Sequence, residues 1–186
     1  MNEKEQVSAE SEIEEDSKVT DDYSDDLANS SGSDEQYLSF TLGDETYAVD
    51  IMSVQEIRTW ENPTYLPRSP DFMKGVLNLR GTIVPVIDLR LKFKICKPEY
   101  NETTVVIILR LETNNLMRIM GIVVDAMSDV LFIDKKNIRN SPEFGGQVDA
   151  NYIDGLTTVN DIVVSLLNTR AILDIDDIDH SREKSA

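Results

Sequence analysis

The chain has 186 residues, with 35 Asp and Glu against 18 Lys and Arg, and a formal net charge of -17. Affinity for phosphate backbones and anionic lipid grows with neutralising Lys and Arg contacts, so this charge argues against nucleic acid and direct membrane insertion. No run of about 18 apolar residues occurs and the amino terminus is acidic and polar, so neither a membrane span nor a signal peptide is expected and the protein reads as cytoplasmic.

The charge is unevenly placed. Residues 1–36 carry net -11 and residues 37–186 net -6, so the body is an ordinary, mildly acidic domain. From residue 1 to 35 large apolar side chains appear only singly (Val7, Ile13, Val19, Tyr23, Leu27), too few to offset the entropy of ordering, and this leader is expected to be disordered. It reads as a tether, an acidic arm that discourages nonspecific contacts, or a solubilising tail. The ordered domain is expected over 36–179, with a short tail over 180–186.

Order starts at "QYLSFTLGDETYAVDI", where Tyr37, Ser39 and Thr41 alternate with Leu38, Phe40 and Leu42, "GDET" turns the chain, and Tyr47, Val49 and Ile51 return as a second strand. At "MSVQEIR" the apolar spacing slips to three, which predicts a bend or single turn that aims Gln55, Glu56 and Arg58 outward. "ENPTYLPRSPDF" holds three prolines and reads as a surface loop, with Ser69-Pro70-Asp71 starting a helical turn over Asp71 to Lys74. Gly75 to Leu79 and Thr82 to Leu89 form a hairpin around Arg80-Gly81, with positive φ expected at Gly81. Pro85 lacks an N–H and predicts an edge or a bulge in its strand.

A short helix capped by Asp88 follows. Val105 to Leu111 and Met117 to Val124 then make the most buried hairpin, turning at Asn114-Asn115. A strand over Val130 to Ile133, a helical turn after Asp134, a hairpin about Val159 to Asp161, and a carboxy-terminal helix presenting Ile172, Ile175 and Leu173 complete the chain. Asp174, Asp176, Asp177 and Asp179 read as that helix's solvated face. About ten strands in two similar groups argue for an all-β fold of two small barrels packed side by side.

Little chemistry is available to such a chain. The single histidine, His180, sits in a polar tail where nothing orients it as a base. "EFGGQ" lacks the lysine and helix of a phosphate loop. One Cys and one His cannot make a zinc site. Cys96 has no internal disulfide partner and reads as a reduced, semi-buried thiol. Asp88, Asp125, Asp129 and Asp154 could pair for acid–base work or bind a divalent cation, but none lies in a DxDxDG-type loop, and acids at strand ends are usually caps. The chain is therefore not expected to be an enzyme or to need a cofactor. Arg80, whose planar fork suits carboxylates and carbonyls, becomes a candidate recognition residue, though an ordinary solvated turn arginine reads the same way.

"GVLNLRGTIVPVIDLR", with "FTLGDETYAVDIMSVQEIR" upstream and "GIVVDAMSDV" downstream, resembles the CheW family of bacterial chemotaxis coupling proteins, over about Gln36 to Asp179. The resemblance implies two five-stranded, SH3-like β-barrels about a shared apolar core. It also implies an adaptor, without catalytic activity, that joins the histidine kinase CheA, through its regulatory domain, to the cytoplasmic tips of methyl-accepting chemoreceptors in arrays at the cell pole. Carried over residue by residue, it implies receptor contacts at Arg80, Glu56, Asn78, Ile57 and Val105, and kinase contacts at Val54, Gly75, Met127 and Val130. By periodicity alone Val54, Ile57 and Val105 read as core, Gly75 as relief of backbone crowding, and Asn78 as a partner for a local N–H. The acidic leader and the long loop in "LETNNLMRIM" depart from a minimal family member. A competing reading is a regulatory module that precedes a phosphate-accepting receiver domain, or a member of a sister pathway; against the first, the chain stops at Ala186 with no receiver-like acidic pocket and lysine.

Overall fold

The computed structural model describes residues 34–113, 116–140 and 148–174. The leader up to Ser33, the Asn114-Asn115 turn, "EFGGQ", Ile175 and the tail with His180 lie outside the described residues. β1 (Asp34–Leu42) and β2 (Glu45–Asp50) form the first hairpin, turning on Gly43 at φ 59°. A 3₁₀ turn over Ile51–Ser53, capped by the Asp50 carboxylate on the Met52 N–H, leads into β3 (Val54–Thr59). Next come β4 (Met73–Leu79), β5 (Thr82–Asp88) and the helix α1 (Leu89–Lys92). The chain continues through β6 (Val105–Thr113), β7 (Leu116–Val124) and β8 (Ala126–Asp134). β9 (Ile153–Val159), β10 (Ile162–Leu167) and the helix α2 (Thr169–Leu173) complete it.

The strands make two five-stranded sheets, a first in the order β8-β1-β2-β10-β9 and a second in the order β3-β6-β7-β5-β4. Both repeat one pattern: three antiparallel pairings and one parallel pairing, β10 on β2 and β5 on β7. The second sheet is a circular permutation of the first, inserted between β2 and β8. Residues correspond closely: Gly155 pairs Leu166 and Leu166 pairs Ala48, as Gly75 pairs Val86 and Val86 pairs Gly121. α1 follows β5 under an Asp88 cap, as α2 follows β10 under an Asn168 cap.

Each sheet curls around its own small core. Leu77, Leu79, Val84, Val86, Val106, Ile108 and Val123 fill the second; Ala48, Ile133, Val164 and Leu166 fill the first. The opposite faces meet in a larger shared cluster that includes Leu38, Phe40, Tyr47, Ile87, Ile107, Ile122 and Leu167. Four buried residues cannot hold a five-stranded sheet by themselves, so the sheets depend on the shared cluster.

The expected two-part β architecture is present, but the barrels are not closed. Each sheet is open between its edge strands, and among the described residues an isolated bridge lies at each opening, Thr64 to Val76 in the second sheet and Arg139 to Leu156 in the first. Three local expectations also change. Asp71 to Lys74 is not helical: the Met73 N–H bonds the Pro70 carbonyl at 2.9 Å and the chain enters β4 at once, while Ser69 Oγ donates to the Leu66 carbonyl instead of capping. "MSVQEIR" is the crossing from one sheet to the other, and within β3 Ile57 is exposed while Glu56 is half-buried. Pro85 lies in an interior strand. Val76 turns its N–H and carbonyl to Thr64, both at 2.9 Å, so Pro85 directs its missing donor toward β7, where the ladder begins only at Val86.

Candidate functional site

Arg80 and Gly81 occupy the turn between β4 and β5 with φ 51° and 91°, the pattern of a type I′ hairpin. Asn78 Oδ1 accepts from the Gly81 N–H at 2.8 Å, which pins the turn. The Arg80 side chain is 92% exposed, and its Nη2 stands 3.7 Å from Glu56 Oε2, itself 29% exposed. An ion pair this open contributes about 0–1 kcal/mol, so the guanidinium is held near Glu56 yet free to exchange partners. Sequence spacing gave positive φ to Gly81 alone; that Arg80 shares it appears only in the structure. The corresponding turn in the first sheet carries Asn160 at φ 50°, a residue type that tolerates this conformation better.

β3 gathers the other candidates on one edge strand but divides them between its faces. Glu56 faces the Arg80 tip. Ile57 pairs Ile107, Thr59 pairs Val105, and Ile57 and Val105 share the opposite face. Ile57 is exposed, while Val105 packs against the shared cluster. Val54 also packs partly on that cluster and lines a groove of about 510 Å³ with Asp50, Gln55, Arg110 and Glu112, whose rim carries Met52, 86% exposed. Gly75 is buried on β4 and lies far along the sheet order from Val54. Met127 and Val130 stand exposed on β8, the edge of the first sheet.

These scattered positions are related by the internal repeat. Val54 pairs Leu109 and Ile57 pairs Ile107 across a bulge, just as Met127 pairs Phe40 and Val130 pairs Leu38 across a bulge. "VQEI" at 54–57 and "MSDV" at 127–130 are thus the same structural position in the two sheets, each with an acid, Glu56 or Asp129, in the bulge. Ser39 fills the second bulge, donating to the Asp129 carbonyl at 2.7 Å and accepting its N–H at 3.0 Å. The shared apolar-polar-acid-branched order was legible as a pair of tetrapeptides and was missed.

Also missed was a buried charge network. Arg90 is 0% exposed and takes Asp88 as a bidentate partner, Nε to Oδ1 at 3.0 Å and Nη2 to Oδ2 at 2.7 Å. Nη1 reaches the Glu99 carbonyl at 3.0 Å and the Asp125 carboxylate. Tyr100 donates to Asp88 at 2.9 Å, lies 5.0 Å beneath the guanidinium, and stacks on Trp60. Burial by itself lowers the Arg90 pKa, but the hydrogen bonds and charges of Asp88 and then Asp125 outweigh it and raise it. Burial, then the Asp88 charge, pushes the Tyr100 phenol up. Asp88 and Asp125 are thus the ion-pair partners of one buried guanidinium. Among the described residues no group of three His, Cys, Asp or Glu converges to hold a metal, and no helix is long and apolar enough to cross a membrane.

Cys96 is exposed, not semi-buried. What burial it has, followed by the Asp125 charge, raises its thiol pKa. Alkylation by iodoacetamide is expected to reach half its limiting rate at a higher pH than for an unstructured cysteine peptide run alongside; a midpoint at or below the peptide's contradicts this.

Comparisons with known proteins agree on one family. A family model described as a CheW-like domain matches residues 36–177. The chain is 45% identical over 139 residues to the chemotaxis protein CheW of Klebsiella aerogenes, covering 75% of this chain and 81% of that one. It is 33% identical over 141 residues to a probable chemotaxis protein CheW of Rhizobium etli, covering 75% and 87%. The crystal structure of the scaffolding protein TtCheW from Thermoanaerobacter tengcongensis superposes with a TM-score of 0.66 at 30% identity, covering 73% of this chain and 85% of that one.

Proposed function

The chain belongs to the CheW family of chemotaxis adaptors, and from that premise we propose that it holds the cytoplasmic tips of methyl-accepting chemoreceptors against the regulatory domain of the kinase CheA. On this reading it makes and breaks no bond and works in the cytoplasm, recruited to receptor arrays at the cell pole. Receptor contact falls to Arg80, Glu56, Asn78, Ile57 and Val105; kinase contact falls to Val54, Gly75, Met127 and Val130. Two modest patches on one stiff body keep receptor and kinase at high effective concentration, so that kinase output follows small receptor movements.

The observation that carries the receptor assignment is the Arg80 tip. A cation is kept in positive-φ backbone, where the equivalent turn uses Asn160, and its partner Glu56 holds it only loosely at 3.7 Å. Residues held in sparsely populated backbone conformations cluster at binding and switch sites. Arg80→Ala is expected to leave the fold and kinase binding intact and to weaken receptor binding by about 1–3 kcal/mol, the usual range for an interface arginine. A pull-down from receptor-containing membranes is the check: recovery of the variant equal to the parent's removes Arg80 from the site. Glu56→Lys is expected to reduce cosedimentation with receptor and kinase.

A further inference from the structure

The chain passes between the sheets twice, and the two crossings are built differently. The shared cluster joins the sheets by apolar contact, which is strong but non-directional and does not set an angle. Arg118 on β7 donates to the Leu173 carbonyl at 3.2 Å and to Asp174 at 2.8 Å past the end of α2, both side chains partly exposed, whereas the bonds that reach a fully buried charge concentrate at the crossing from β7 to β8, which is the single residue Asp125. Its N–H bonds the Thr41 carbonyl at 3.1 Å, and its Oδ2 accepts from the Gly43 N–H at 2.7 Å, both in the first hairpin of the first sheet. Its carbonyl accepts from Thr103 Oγ1 at 3.0 Å, and its Oδ1 meets the buried Arg90, which Asp88 grips at the end of β5. An unbroken series of charge-assisted bonds therefore runs from Gly43 in one sheet to Asp88 in the other.

At the other crossing, Ile51–Ser53, the side-chain bonds are local: Asp50 Oδ1 to the Met52 N–H at 2.9 Å and Ser53 Oγ to the Asp50 carbonyl at 2.6 Å. Among the described residues, its hydroxyl contact beyond the turn is Ser53 to Thr169, at 3.4 Å. The groove lined by Met52 and Val54 opens at this looser end.

We propose that Asp125, clamped by Arg90, is a positioning residue that fixes the angle between the two sheets and thereby transmits receptor state to the kinase. β8, with Met127 and Val130, begins at the next residue, Ala126, so Asp125 sets where the kinase-facing strand stands relative to the Arg80 tip. The transmission half rests on the function proposed above; the angular half does not. The Asp125 carboxylate meets Arg90 through one oxygen and Gly43 through the other, and such bonds weaken steeply once their angle falls below about 120°, which is what converts this cluster into an angular constraint.

The test uses the full chain with Cys96→Ser, carrying spin labels at Ile83→Cys in the second sheet and Ile162→Cys in the first, both exposed positions. The expected result is one narrow distance distribution, broadening about twofold in Asp125→Ala while circular dichroism reports a folded protein. Asp125→Asn, which keeps an acceptor for Gly43 but removes the charge facing Arg90, is expected to fold and to broaden less, so a failure of the alanine variant to fold leaves a readable result. Unchanged widths in a folded variant overturn the proposal. In a reconstituted receptor–kinase assembly Asp125→Ala is expected to bind each partner separately as the parent does, yet to lose receptor-dependent kinase activation by at least about fivefold, the lower end of ordinary coupling between sites. Broadened distances with undiminished activation overturn transmission. Absence of any receptor dependence with the parent protein overturns the functional reading and leaves the angular result standing.

Discussion

Arg90→Ala is expected to lower the unfolding free energy by about 3–5 kcal/mol, because it strands the fully buried Asp88 carboxylate without its counter-charge. Tyr100 and the Arg90 N–H would still donate to Asp88, but neither carries a charge. Arg90→Lys is expected to recover only part of the loss, since an ammonium cannot reproduce the fork that engages Asp88, Asp125 and the Glu99 carbonyl together. Equilibrium denaturation in urea reads the difference, and a loss below about 1 kcal/mol would mean that water replaces the guanidinium without penalty.

Gly75→Ala should have the next largest effect, destabilising by about 2–4 kcal/mol from combined overpacking and backbone strain. Gly75 sits at φ 136°, and a Cβ there would meet the Thr64 carbonyl oxygen at 2.2 Å, which is backbone and cannot swing aside. Thr64 is the residue that spans the open side of the second sheet, so the substitution opens the sheet where it is least secured. Gly81→Ala is the control: its φ is also positive, at 91°, but nothing lies within 4 Å of the added atom. It is expected to be milder, at about 1–2 kcal/mol. Equal effects at the two glycines would show that backbone strain alone matters and that the close approach of Thr64 does not. A kinase-binding measurement on Gly75→Ala is therefore informative only at temperatures where the variant is folded.

The strands were legible because alternation is a local property. Leu38, Phe40 and Leu42 mark β1, and the β-branched run from Val105 marks β6, without reference to any other part of the chain. Hairpin pairing was legible too, from turn residues such as Gly43 and Arg80-Gly81, but pairing between segments distant in sequence was not. The parallel contacts of β5 on β7 and β10 on β2 join segments far apart in sequence, and the repeat they create is permuted, so the two halves never align in order. Pro85 shows the consequence: its missing donor implies an edge or a bulge, and it lies in an interior strand beside the Met73/Gly75 register shift, with the missing donor where the neighbouring ladder has not begun. Ser69-Pro70-Asp71 carries the composition of a helix start, but tertiary pairing of Met73 with Ile87 takes the chain into a strand. Of the site, Arg80 and Glu56 were named from sequence, while the turn strain and the 3.7 Å approach were not available there. Arg90 escaped notice because an Asp-x-Arg pair after a strand reads as a cap and a solvated cation; only its position between Asp88 and Asp125 makes it structural.

On the proposed function, a stiff two-sheet body makes one protein's activity depend on another's state. The direct measurement is phosphorylation by a CheA-type kinase, with and without a receptor signalling fragment, in the presence and absence of this chain. Kinase activity is expected to follow the receptor only when the chain is present, and to lose that dependence with Arg80→Ala. A kinase rate indifferent to the chain at saturating receptor would contradict such coupling.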